Sequence, residues 1–237
     1  MKRWFLWACG ALAALILLAA LVWTGILRPN AWVAARYPVR GVDVSEYQGD
    51  IDWQTLSGGL DFAFVKATEG AGNQDPAFER NFRAAAEAGL LTGAYHFFSF
   101  ESDGAAQAEN FIQTAGDLSG RLSPVVDVEL YGAFKSSPPE KEDVRAQLDA
   151  LLKALEARYG VKPILYATSA SWSMYLQDGY SEYPLWIRDV YWIPGMAFAF
   201  WQYSDRGRLA GYDGPEKFID LDVFGGSKDA LEALALP

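Results

Sequence analysis

Three stretches of this chain carry carboxylates where a buried strand would not be expected to hold them. Residues 123–130 read SPVVDVEL. Val125, Val126, Val128 and Leu130 mark a strand buried on both faces, and Asp127 and Glu129 interrupt it at a period of two. Side chains two apart on a strand share a face, with Cα atoms about 6–7 Å apart. Like charges so placed are costly unless they open on a polar cavity or find partners. GVDVS at 41–45 ends a first strand on Asp43, and FIDLDVF at 218–224 sets Asp220 and Asp222 on one face of a last strand. In a closed parallel barrel the C-terminal strand ends open into the active site. First and last strands are then neighbours, so Asp43 and Asp220 flank one mouth with Asp127 and Glu129 opposite. Such carboxylates suit glycoside hydrolysis, in which one is held protonated as the acid and another stabilises positive charge. A single strand-end Asp could instead cap the following helix. That account is weaker for an Asp-x-Glu pair combined with Asp-ended first and last strands. Clustered carboxylates can also hold calcium or magnesium, but no stretch resembles a calcium loop, so no metal and no cofactor is expected.

Composition narrows the field. Among 237 residues there are 30 acidic and 20 basic side chains, a net charge of −10, which excludes a nucleic-acid partner because phosphate binding needs a basic face. One cysteine, Cys9, allows no internal disulfide, and one histidine, His96, allows no His-rich zinc site. Carboxylates and aromatics remain as the chemical material.

The elements that must position them alternate. Strand-like runs occupy Arg40–Val44 and residues 62–67, 92–98, 124–130, 163–167, 184–187, 198–203 and 218–223, rich in Val, Ile, Phe, Tyr and Trp. Helical stretches at 75–88, 103–115 and 139–159 separate the early ones, the first stopping at Gly89 and the last at Gly160. Alternation implies an α/β fold with a mostly parallel sheet, and eight strands imply closure into a TIM-like barrel. The last three strands lack good helices between them, so the barrel is expected to be irregular there.

The N-terminus is a separate object. No charged residue occurs from Trp4 to Leu27, long enough to cross about 30 Å of hydrocarbon. It lacks a good small-residue cleavage site, which favours an uncleaved membrane anchor over a secretory signal. The expected organisation is a transmembrane or signal segment at 1–27, a linker at 28–38 and one domain at 39–237.

In these motifs the sequence resembles glycoside hydrolase family 25, the Chalaropsis-type lysozymes. GVDVSEYQGDIDW, FAFVKATEG, FERNFRAAAEAGLLTGAYHFF, QAENFI, VVDVEL, PILYATSASW, YPLWI, FAFWQYSDRG and IDLDVF follow the family's order over nearly all of residues 39–225. The resemblance implies an irregular (β/α)5(β)3 barrel. It also implies peptidoglycan hydrolysis at the β-1,4 bond between N-acetylmuramic acid and N-acetylglucosamine. By position Glu129 matches the general acid/base and Asp127 its neighbour, which assists the charged intermediate. Asp43 and Asp220 match the other active-site carboxylates. Two readings stand beside it: a catalytically inactive, membrane-anchored glycan-binding protein, and a hydrolase of another aminosugar polymer such as chitin.

Tyr95, Tyr166, Trp186, Trp201 and Tyr203 lie on the expected strands and could stack on sugar C–H faces. Tyr95, Tyr166 and Trp201 fall in the family motifs and are the leading substrate contacts. Glu69 is a candidate partner behind them, and His96, next to Tyr95, is expected to be structural. Two positions depart from the family pattern: Asp222 stands where Asn is common, adding negative charge at the mouth, and Arg188 stands where Ala is usual. Arg188 is expected to pair with a carboxylate or bind an acidic group of the glycan peptide. The expected setting is a monomer in the cell membrane with its domain outside the cytoplasm, or else a secreted one after signal cleavage.

Overall fold

The computed structural model describes residues 2–24 and 26–237; Met1 and Gly25, both within the expected 1–27 segment, lie outside the described residues. Helix α1 (Lys2–Trp23) carries an apolar window, Arg3–Val22, none of which is buried. At about 1.5 Å per residue it is long enough to cross a bilayer. Helix α2 (Pro29–Ala34) opens on the proline, whose missing N–H costs nothing at a first turn.

The barrel follows as β1 (Arg40–Val44), α3 (Trp53–Leu56), β2 (Phe62–Glu69), the short β3 (Asn73–Gln74), α4 (Phe78–Glu87), β4 (Leu91–Phe97), α5 (Gly104–Ala115), β5 (Val125–Val128) and α6 (Lys141–Tyr159). It continues with β6 (Ile164–Thr168), the one-turn α7 (Ser169–Ser171), β7 (Leu185–Arg188), β8 (Phe200–Gly207), β9 (Ile219–Phe224) and α8 (Lys228–Glu232). Five strand–helix units precede three strands without intervening helices, as expected. α5 starts on Asp103, whose carboxylate accepts from Ala106 N–H, and α6 ends on Gly160 in the left-handed conformation that glycine adopts without a Cβ clash.

The strand order is β1-β9-β8-β7-β6-β5-β4-β2, closed by β1 pairing with β2, with β3 flanking β2. Neighbours from β1 round to β8 are parallel, whereas β9 runs antiparallel to both β8 and β1. The sequence anticipated the closure but neither the reversal of β9 nor the small β3.

Strand alternation divides the core in two. Inward residues Phe62, Phe64, Val125, Ile164, Phe200 and Phe224 fill the barrel floor, with Leu231 of α8 packed against them. Gly41 and Gly93 make room: a Cβ would sit 2.4 Å from the Phe62 ring at the first and 2.5 Å from the Phe64 ring at the second. Outward residues such as Val42, Val65, Val126 and Leu165 join Phe111, Leu148 and Leu155 from the helices.

Residues 28–38 do not stand free as a linker. Asn30 is fully buried and its amide donates to the carbonyls of Tyr203 at 2.6 Å and Asp189 at 3.3 Å. Ala34 packs with Ile187, Trp201 and Val223, and the Tyr37 ring meets Trp201 edge-on. A buried asparagine with two backbone partners fixes α2 against β8; composition alone gives no sign of this.

Candidate active site

Above the aromatic floor the inward side chains turn polar, and a cavity of about 830 Å³ opens. Its walls include Asp43 from β1, Lys66 from β2, Tyr95 from β4, Asp127 and Glu129 from β5 and the residues just past it, Tyr166 from β6, Trp186 and Arg188 from β7, Gln202 from β8 and Asp220 from β9. The four carboxylates read from the sequence therefore meet in one cleft. Because β9 is antiparallel, Asp220 near its start lies directly opposite Asp43 near the end of β1.

A hydrogen-bonded chain fixes Asp43. The Tyr166 hydroxyl donates to Gln202 Oε1 at 3.0 Å, and Gln202 Nε2 donates to Asp43 Oδ2 at 2.7 Å. Asp222 sits beneath, opposite Gly41, and is 1% exposed. Trp186 Nε1 donates to its Oδ1 at 2.8 Å, while no N–H or hydroxyl reaches its Oδ2. Asp222 is hydrogen-bonded to Asp43, and two carboxyls bond only when one carries a proton. Burial, then the Asp43 charge, pushes Asp222 well above the usual carboxylate range, so Asp222 is the donor. The sequence suggested that Asp222 adds charge at the mouth; the structure corrects this. Asp222 lies deeper in the barrel and is neutral, donating where an asparagine amide would.

Burial also raises Asp43, Asp127 and Glu129. For Asp127 the Glu129 charge adds to burial; for Glu129 the positive charges of Arg188 and Lys135 oppose it. Asp127 Oδ1 is a buried acceptor with no partner. Asp220 is pushed up to about 8, by burial first and the Asp43 charge second.

This has a consequence for stability. A carboxyl whose folded pKa is raised binds its proton more tightly in the folded state, so its contribution is full below about 4 and is lost as pH rises through the folded value. For Asp220 the window runs from the ordinary 3.8 to about 8. The thermal midpoint is expected to fall across that window, and Asp220→Asn to flatten the fall; scanning calorimetry at a series of pH values reads both.

Two sequence expectations, at Trp201 and Glu69, need adjustment. Trp201 does not reach the cleft: it is fully buried on the outer face of β8, and its Nε1 donates to the Asp189 carbonyl at 2.9 Å. Strand alternation forces the choice, since Phe200 and Gln202 point inward and Trp201 must point out. Trp201→Phe is therefore expected to leave KM and kcat unchanged while costing about 1–3 kcal/mol, read as a lower thermal midpoint. Glu69 is not part of the cavity wall; it holds Lys66 Nζ at 2.7 Å, and Lys66 lines the cleft. Arg188 does line the cleft, and its carboxylate partner is Asp205 at 3.2 Å. Tyr95 and Tyr166 line the wall. Sequence reasoning passed over Gln202 and Lys66, and gave Trp186 no leading place. The inward parity set by Phe200 and Phe64 was the signal that could have found the first two.

His96 faces α5. Its Nε2–H donates to Gln107 Oε1 at 3.0 Å, its Nδ1 accepts from the Thr68 hydroxyl at 2.7 Å, and burial lowers its pKa to about 4. It is a neutral structural histidine.

Residues 42–212 match the family model described as glycosyl hydrolases family 25. The chain belongs to that family. The solved structure of a family 25 glycosyl hydrolase from Bacillus anthracis is 45% identical with a TM-score of 0.80, over 85% of this chain and 95% of that one. Lysozyme M1 of Streptomyces globisporus is 33% identical over 83% of this chain and 71% of its own length. The uncharacterized protein YegX of Escherichia coli strain K12 is 38% identical over 85% and 75%. This family 25 hydrolase therefore has its own carboxylate cleft within the matched region for Asp43, Asp127 and Glu129, while Asp220 and Asp222 lie just beyond it.

Proposed function

We propose that this enzyme is a lysozyme that cuts peptidoglycan at the β-1,4 bond between N-acetylmuramic acid and N-acetylglucosamine. The observation that carries this is the convergence of Asp43, Asp127, Glu129 and Asp220 on one cleft in a chain of this family. Glu129 gives its proton to the glycosidic oxygen as the bond from C1 breaks, and the departing sugar leaves as an alcohol. The positive charge at C1 is met by the substrate's own acetamido oxygen. Asp127 Oδ1, the unpartnered acceptor, takes the acetamido N–H and aims that oxygen at C1. Glu129, now a carboxylate, then draws a proton from the water that attacks C1. Asp43 and Asp220 supply negative potential across the cleft, and Tyr95, Tyr166 and Trp186 offer ring faces to the sugars. Arg188 and Lys66 are suited to an acidic group on the glycan peptide.

The test is digestion of purified peptidoglycan by the full chain, followed by borohydride reduction and mass analysis. Reduced muramic acid at the new end is expected; reduced glucosamine there would refute the bond assignment. α1 is read as an uncleaved anchor with the barrel outside the cytoplasm. N-terminal sequencing of the native protein should return the residues at the start of α1; a start near residue 28 would overturn the anchor.

A further inference from the structure

We propose that the loop after β7, together with α2, forms a second contact with the lipid bilayer and holds the cleft mouth beside the membrane surface. This rests on reading α1 as a membrane span. Tyr191, Trp192 and Ile193 are consecutive, large and apolar, yet 46%, 64% and 53% exposed. Trp32 is 74% exposed, on the face of α2 turned away from the buried Asn30 and Ala34. A soluble domain gains nothing by presenting such a run to water, and a contiguous apolar patch marks a contact surface.

The position of the patch selects lipid as its occupant. Tyr191, Trp192 and Pro29 form one groove with Leu15, Leu18 and Val22 of α1. Those α1 residues belong to the apolar window, none of which is buried. The patch is therefore continuous with a surface that the bilayer itself must cover. Leu15 precedes Val22 by seven residues, about 10 Å along the helix, which is the depth of the headgroup and outer acyl region. Trp192 and Tyr191 at that depth, with Arg28 over the Tyr191 ring, match the composition of a membrane interface.

The loop is also built to hold its shape. The Asp189 carboxylate accepts from the backbone N–H of Trp192 at 2.7 Å and of Tyr191 at 3.1 Å. The Asp189 carbonyl is held by Asn30, and the Arg28 guanidinium lies over the Tyr191 ring. Asp205 joins this frame to the cleft: one oxygen takes Arg28 at 2.8 Å and the other takes Arg188 at 3.2 Å. The loop leaves β7 directly after Arg188, so the lipid-facing edge and the cleft wall belong to one rim.

The experiment uses the full chain carrying Cys9→Ser and Ile193→Cys, labelled with an environment-sensitive fluorophore and reconstituted in phosphatidylethanolamine–phosphatidylglycerol vesicles. Lys153→Cys on the exposed side of α6 is the control. Vesicles with a nitroxide high on the acyl chain should quench the label at 193 several-fold more than at 153, with a blue-shifted emission. If the protein floats with the vesicles but 193 is no more quenched than 153, the second contact is refuted and the anchor stands. If the protein does not float with vesicles at all, the anchor reading fails and takes the second contact with it.

Discussion

Glu129→Gln is expected to lower kcat on peptidoglycan by about 10²–10⁴-fold, the usual contribution of a positioned proton donor. The amide matches the carboxyl in size, but it cannot release a proton to the leaving oxygen. Glu129 borders the cavity beside Asp127, Arg188 and Lys135, so it acts on bound substrate rather than on the packing of the barrel. KM should therefore change little, and the thermal midpoint should hold or rise, because a carboxylate raised by burial is a cost to the folded state. Release of new reducing ends, measured beside a melting curve, separates the two effects. Unchanged kcat would remove Glu129 from the chemistry.

At Asp222 the size of the effect should depend on which residue replaces it. Asp222→Leu takes the acceptor from Trp186 Nε1–H, a bond of 2.8 Å in a fully buried site, and the donor from Asp43. Leaving a buried donor unmade costs about 1–3 kcal/mol, and an Asp43 carboxylate stripped of one of its two donors should lose its fixed position. A large drop in kcat together with a lower thermal midpoint is expected. Asp222→Asn keeps both partners, with the amide oxygen accepting from Trp186 and the amide N–H donating to Asp43. It should retain most activity. It should also be more stable than the parent at alkaline pH, because the raised carboxyl loses its proton there and the amide does not. Equal damage from Asn and Leu would show that Asp222 is not a neutral donor.

Much of this site was legible because strand alternation is a strong constraint. Asp127 with Glu129, and Asp220 with Asp222, each share parity within apolar runs, and the structure puts each pair on the inward face. The same rule was available at β8 but was overridden by preference for an aromatic, which pointed to Trp201 in place of Gln202. Parity cannot reveal strand direction. The reversal of β9 places Asp220 at the rim and Asp222 in the interior, the opposite of what a parallel strand would do. Nor could spacing show that Asn30 pins α2 to β8, since its partners are backbone carbonyls about 160–170 residues away, made neighbours only by the fold.

The docking of α2 bears on where a soluble version of this enzyme should begin. Cutting at residue 38, where the sequence would suggest it, strips α2 from Ile187, Trp201 and Val223 and opens the Asp205 fork that Arg28 shares with Arg188. A recombinant form begun at Arg28 keeps that cover. The shorter form would report on an enzyme with an altered wall and a sticky flank.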